Sequence, residues 1–140
     1  MMYDHRERQV RLPKELFELE LNHNEIAIYA FLMYCEDHRK SLCYPSYSTI
    51  GRRLGMCKNT VRKYVASLES KHLIKTEQTQ VIAGGKKRNG NLKYLFLPIQ
   101  EAEQYYVNMQ IEAAKLEKVK QRAEKKLKAL NRTNKRRTRK

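Results

Sequence analysis

The chain is short of almost everything that marks a secreted, membrane or enzymatic protein. Among its 140 residues there are three cysteines, Cys35, Cys43 and Cys57, with no CxxC pair among them. An odd, scattered set of thiols excludes a disulfide framework and fits a reduced compartment. The longest unbroken apolar run, Ile26 to Cys35, is half of the roughly 20 residues that span a bilayer. Met1 to Glu20 is charged throughout, unlike a secretory leader, so a cytoplasmic, nucleoid-associated location is expected. The glycine-rich stretch AGGKKRNG lacks the GKS/T ending of a phosphate loop. The four histidines are dispersed, and no nucleophile–base or paired-carboxylate arrangement stands out. The reading is therefore no enzyme, no catalytic residue and no cofactor. Cys35, His38 and Cys43 lie close in sequence but offer too few ligands for zinc, and no metal site is assigned.

What the chain does have is positive charge, +15 in all, and it is unevenly placed. Residues 1–50 carry net −2, residues 51–93 net +9, residues 94–114 net −3 and residues 115–140 net +11. Two basic regions separated by near-neutral ones point to a polyanion as partner, since each phosphate neutralised releases condensed counterions.

Local patterns divide the chain further. Residues 1–21 read as a lead-in, extended around Val10 and Leu12 ahead of Pro13. Asn22 followed by Glu25 has the form of a capping box, opening a helix to about Arg39 whose centre is apolar nearly all round. Arg39 and Lys40 would suit the negative end of that helix's dipole. Leu42 to Tyr44 suggests a short strand before Pro45. Ser46 is a good N-cap for a helix ending at Gly55, and Gly51 suits a close crossing. The next helix, residues 58–70, puts Val61, Val65 and Leu68 on one face, behind a weak cap at Cys57. Leu73 to Val81 and Leu92 to Leu97 are β-like, joined by a long basic tip that contains Gly84-Gly85 and Asn89-Gly90. Residues 99–130 contain no glycine or proline and predict one helix, and residues 131–140 predict a disordered basic tail.

The helix–strand–helix–helix–strand–loop–strand order resembles the winged helix-turn-helix domain of prokaryotic regulators and of plasmid or phage replication initiators. The segments LELNHNEIAIYAFL, YPSYSTIGRRLGMCKNTVRKYVASLESKHLIK and NGNLKYLFL carry the resemblance, over about residues 12–98. Gly51, Cys57 and His72 depart from it, standing where alanine, serine and glycine are usual. The implied fold is mostly α with a small β-hairpin wing at residues 22–98, followed by a long basic helix. The implied partner is double-stranded DNA, with helix 58–70 in the major groove. Lys58, Asn59, Thr60, Arg62 and Lys63 would face bases and phosphates. Ser46, Tyr47 and Thr49 of the preceding helix would meet the backbone, and Lys86, Lys87, Arg88 and Asn89 of the wing a neighbouring phosphate or minor groove.

The resemblance implies a transcription regulator. A plasmid, phage or mobile-element replication protein fits the same pattern, and an RNA-binding basic protein fits the charge alone. The terminal helix has 4-3 spacing at Ala102, Tyr106, Met109, Ala113, Leu116, Ala123, Leu127 and Leu130, interrupted by Lys120. Two readings follow: a homodimeric coiled coil, or a helix whose first turns pack on the winged domain. A membrane-surface role is disfavoured, because that helix lacks Phe and Trp.

Overall fold

The computed structural model describes residues 9–36 and 42–137. His38, Arg39, Lys40 and the last three residues of the tail lie outside them, as do residues 1–8 of the lead-in. Contacts divide the chain into two units that meet between Tyr105 and Tyr106.

In the first unit the order is α1 (His23–Cys35), β1 (Leu42–Cys43), α2 (Tyr47–Leu54), α3 (Lys58–Ser70), β2 (Ile74–Ala83), β3 (Lys86–Phe96) and the opening turns of α4 (Ile99–Arg137). The three strands form one antiparallel sheet in the order β1-β3-β2. This is the winged helix-turn-helix arrangement that the resemblance implied.

The lead-in holds an element that the sequence did not announce. After Pro13, Lys14–Glu18 forms a short 3-10 helix, and it seats Leu16 in the core with no exposed surface. Pro13 sits at its N-cap, where a missing N–H costs nothing.

The start of α1 follows the capping-box geometry. Glu25 N donates to Asn22 Oδ1 at 2.8 Å, and Asn22 N to Glu25 Oε1 at 3.4 Å. The helix stops at Cys35, four residues earlier than the sequence pattern suggests, with Glu36 already extended. Its Ile28, Tyr29 and Leu32 are buried against Ile50 of α2, Val61, Val65 and Leu68 of α3, and Leu73, Ile74 and Tyr94 around the sheet, forming one core. Truncating a leucine of this set to alanine would cost about 2–5 kcal/mol. Tyr29 meets Phe96 edge to face, ring centres 5.6 Å apart.

The turn between α2 and α3 rests on two glycines. Gly55 ends α2 in the left-handed region at φ 70°. Gly51 is buried, and a Cβ there would run into the Met56 carbonyl oxygen, so the turn's own backbone demands the small residue. At the other end of α3, His72 takes φ 62°, the conformation for which glycine is preferred, and its ring meets that of Tyr105 at a tilt, centres 4.6 Å apart.

The second unit is the remainder of α4. The helix continues to Arg137, through most of the segment expected to be disordered. Asn131, Thr133 and Asn134 are poor helix formers, but extending a helix already formed needs no new nucleus, and Lys135, Arg136 and Arg137 in the last turn complement the dipole. No helix among the described residues is long and apolar enough to cross a membrane.

Candidate nucleic-acid interface

The face of α3 opposite its buried side is polar and open. Val61 and Leu68 are wholly buried and Val65 nearly so, while Lys58, Asn59, Arg62, Lys63, Ala66 and Ser70 are exposed. The 3.6-residue period thus separates anchor from surface within one helix. Thr60 is half-buried, and its hydroxyl lies 3.0 Å from Cys57 Sγ. Cys57 makes no side-chain cap to the α3 amides, as its position suggested. Its thiol is drawn below the ordinary cysteine range, chiefly by the hydrogen bond with the Thr60 side chain.

Two cations of this face are braced by rings. The Arg62 guanidinium lies 5.8 Å from the Tyr47 ring centre, and the Lys63 ammonium 5.4 Å from that of Tyr64. An exposed cation over an aromatic face gains about 0.5–1 kcal/mol, enough to bias where the charge sits. The Arg62–Tyr47 contact joins α3 to the start of α2, so two of the expected contact residues belong to one cluster.

Ser46 and Thr49 are less free than the sequence suggested. The Ser46 hydroxyl accepts from Thr49 N at 3.1 Å and lies 2.9 Å from Thr49 Oγ1, closing the N-cap of α2. The first amides of α2, those of Tyr47 and Ser48, have no partner within the helix. Arg52 and Arg53, both exposed in the last turn of α2, were not singled out from sequence; their charge was its only signal.

The wing is a longer and tighter hairpin than expected. Gly84 and Gly85, at φ 59° and 76°, make a two-residue turn, and Lys86, Lys87, Arg88 and Asn89 lie in β3 instead of a loop. They pair with Ala83, Ile82, Val81 and Gln80 in that order. Strand alternation then puts Lys86 and Arg88 on one face and Lys87 on the other. Asn89-Gly90 competed for the turn in the sequence, but Gly90 serves a different need. A Cβ there would come within 2.6 Å of Thr79 Oγ1 and 2.8 Å of Val81 Cγ2, beside the register shift at Gln78/Gln80.

Two carboxylates fix the C-terminal end of α3. Lys71 Nζ and Ser67 Oγ both donate to the buried Glu25 carboxylate. Thr76 donates to Glu69 through its amide at 3.1 Å and through its hydroxyl at 2.9 Å, tying α3 to β2. Of the residues weighed for zinc, Cys35 is half-buried and Cys43 buried, and both thiols are free. Burial, reinforced by nearby Cys35 and Glu36, pushes the Cys43 thiol up to about 12.

A cleft of about 320 Å³ opens between the start of α2 and the base of the wing, lined by Pro45, Ser46 and Tyr47 on one side and Gln78, Asn91 and Tyr94 on the other. Tyr94 is fully buried and its hydroxyl has no hydrogen-bond partner. Burial raises its pKa far above the tyrosine norm, with Tyr47 and Cys43 adding to the effect, so it stays a proton donor.

Residues 19–74 match the model of a helix-turn-helix domain family, a span from Leu19 to the first residue of β2. No curated protein matches the chain in sequence. Among solved structures, it is similar to a possible transcriptional regulator from Methanosarcina mazei (14% identity, 76% of this chain and 80% of that one, TM-score 0.47). It is also similar to MepR of S. aureus, solved as a DNA complex (18%, 84% and 86%, TM-score 0.39). A third is a transcriptional regulator homologue from Pyrococcus horikoshii (20%, 74% and 98%, TM-score 0.38).

Proposed function

We propose that the protein, whose residues 19–74 match the model of a helix-turn-helix domain family, binds double-stranded DNA as a transcription regulator, with the N-terminal half of α3 in the major groove. One observation carries this reading: α3 is anchored by Val61, Val65 and Leu68 while Lys58, Asn59, Arg62 and Lys63 stand together in solvent. An asparagine can bond bidentately to adenine, and lysine or arginine to guanine O6 and N7. Thr60, partnered with Cys57, has the smaller share.

Affinity comes from elsewhere. The wing cations neutralise phosphate without reading sequence. On α4, Lys115, Lys118, Arg122, Lys125, Arg132 and Arg136 recur at helical spacing on one exposed face, a row free of carboxylates. Helix continuing to Arg137 carries this row into the first part of the predicted tail. Selection of bound duplexes from a random pool tests the proposal. An enriched motif that Lys63→Ala blurs supports it, and binding with no sequence preference defeats it.

A homodimer is a second element of the reading. Met109, Leu116, Leu127 and Leu130 are exposed along the 4-3 seam of α4, which supports pairing with a second copy. Sedimentation at micromolar concentration decides it, and a strict monomer removes it.

A further inference from the structure

The exposed seam of α4 carries a defect, and the defect sets a direction. The helix runs unbroken from Ile99 to Arg137, so one 4-3 register holds along it. Met109, Leu116, Leu127 and Leu130 stand exposed in that register, but Lys120 occupies the seam position between Leu116 and Ala123. Glu112, Val119 and Lys126 follow one another at seven-residue spacing along one flank of the seam, and Glu117 and Glu124 along the other. A parallel two-fold dimer has to be in register. It would set Lys120 against Lys120 of the second copy inside the apolar seam. It would also bring Glu112 beside Glu117 of the second copy, once on each side. Like charges meet at every one of these contacts, and the lysine pair is the one drawn out of water.

We infer that α4 pairs with α4 of a second copy in antiparallel orientation, with Met109 opposite Leu127 and Leu116 opposite Lys120. This rests on the homodimer reading above and adds its direction and register. The same register sets Ala113 against Ala123, a small pair that lets the two backbones approach. The flanks now agree in charge. In antiparallel pairs each flank meets its own kind, so Glu112 comes beside Lys126 of the second copy, twice by symmetry. Val119, exposed and outside the 4-3 series, meets Val119 of the second copy at the centre of that flank. On the other flank the two Glu117 carboxylates approach each other, and the two Lys120 ammoniums lie beside them. Each Lys120 stem covers the facing Leu116 while its charge stays at the edge, in water. The row of Lys115, Lys118, Arg122 and Lys125 lies on the far side of the helix from the seam. Pairing therefore leaves both basic faces open to a polyanion.

The test is disulfide capture on the full chain, with Cys57→Ser removing the exposed native thiol. Met109→Cys and Leu127→Cys are made in separate chains, mixed at micromolar concentration and oxidised. Antiparallel pairing should yield cross-linked product of mixed mass, with little from either chain alone. A charge exchange reads the flank independently. Glu112→Lys and Lys126→Glu should each weaken dimerisation about fivefold in sedimentation, because two attractive contacts become repulsive. The double exchange, which has the original net charge, should restore it. Leu127→Cys cross-linking to itself, or Glu112→Lys tightening the dimer, overturns the inference and leaves the homodimer reading intact. A dimer in which no cross-link forms does the same. A strict monomer removes both.

Discussion

Lys71 Nζ lies 3.0 and 2.9 Å from the two carboxylate oxygens of Glu25, joining the end of α3 to the first turn of α1 across 46 residues of sequence. Glu25 is 3% exposed and also closes the α1 capping box and accepts from Ser67. One carboxylate therefore caps α1 and holds α3 at its C-terminal end. Glu25→Ala should cost about 2 kcal/mol of stability, because it removes half of the capping box and leaves the Ser67 hydroxyl unpartnered, while Lys71, 33% exposed, can turn to water. Glu25→Gln keeps part of the hydrogen bonding and should cost less. Urea unfolding of both variants checks this, and a loss under about 1 kcal/mol for Glu25→Ala would show the contact to be dispensable.

Asn59→Ala and Lys63→Ala should each weaken binding to a selected DNA site by roughly 1–3 kcal/mol. Both residues are exposed, so the urea midpoint should stay where it is. Footprints that keep the same sequence preference in both variants would remove α3 as the reader.

The parts of this fold that were legible in the sequence are those decided within a few residues. Asn22 with Glu25, Ser46, and Gly55 act on neighbouring backbone, and each appears at its expected helix end. The wing turn was ambiguous because Gly84-Gly85 and Asn89-Gly90 have the same local preference. What separated them was Gly90 lying under Thr79 and Val81, a contact across the hairpin. Leu16 was hidden among charges, and only the tertiary core reveals that it is buried. The α4 extension was missed because Asn131, Thr133 and Asn134 argue locally against helix, whereas a helix already nucleated upstream propagates through them. Within the interface, the exposed face of α3 followed from periodicity, but the bracing of Arg62 by Tyr47 and the cleft at Tyr94 depend on separate elements meeting.

Strand alternation gives the wing a sharper test than removing all its charge. Lys86 and Arg88 share one face and Lys87 has the other. Only one face can lie along a given backbone, so either Lys86→Ala with Arg88→Ala or Lys87→Ala alone should account for the whole wing effect. The paired change would lower the slope of log K against log salt by about 2, and the single change by about 1. Binding isotherms from low to moderate salt measure this. Equal slopes in all variants would rule out the wing as a phosphate contact.

Cys57 offers a chemical readout of the same surface. It is exposed at the N-cap of α3, and its pKa is lowered mainly by the Thr60 side-chain hydrogen bond, whereas burial raises that of Cys43 to about 12. The thiolate is the reactive form, so near neutral pH Cys57 should alkylate far faster than Cys43. Its rate should rise with pH and reach half its plateau below the pH at which an ordinary cysteine does. Thr60→Ala removes the partner that favours the thiolate and should move that midpoint upward. If α3 enters a groove, a saturating cognate duplex should protect Cys57, which adjoins Lys58 and Asn59, while leaving Cys43 as slow as before. Mass spectrometry of peptides after timed alkylation resolves the sites. Undiminished labelling of Cys57 in the presence of bound DNA would place the contact surface away from the start of this helix.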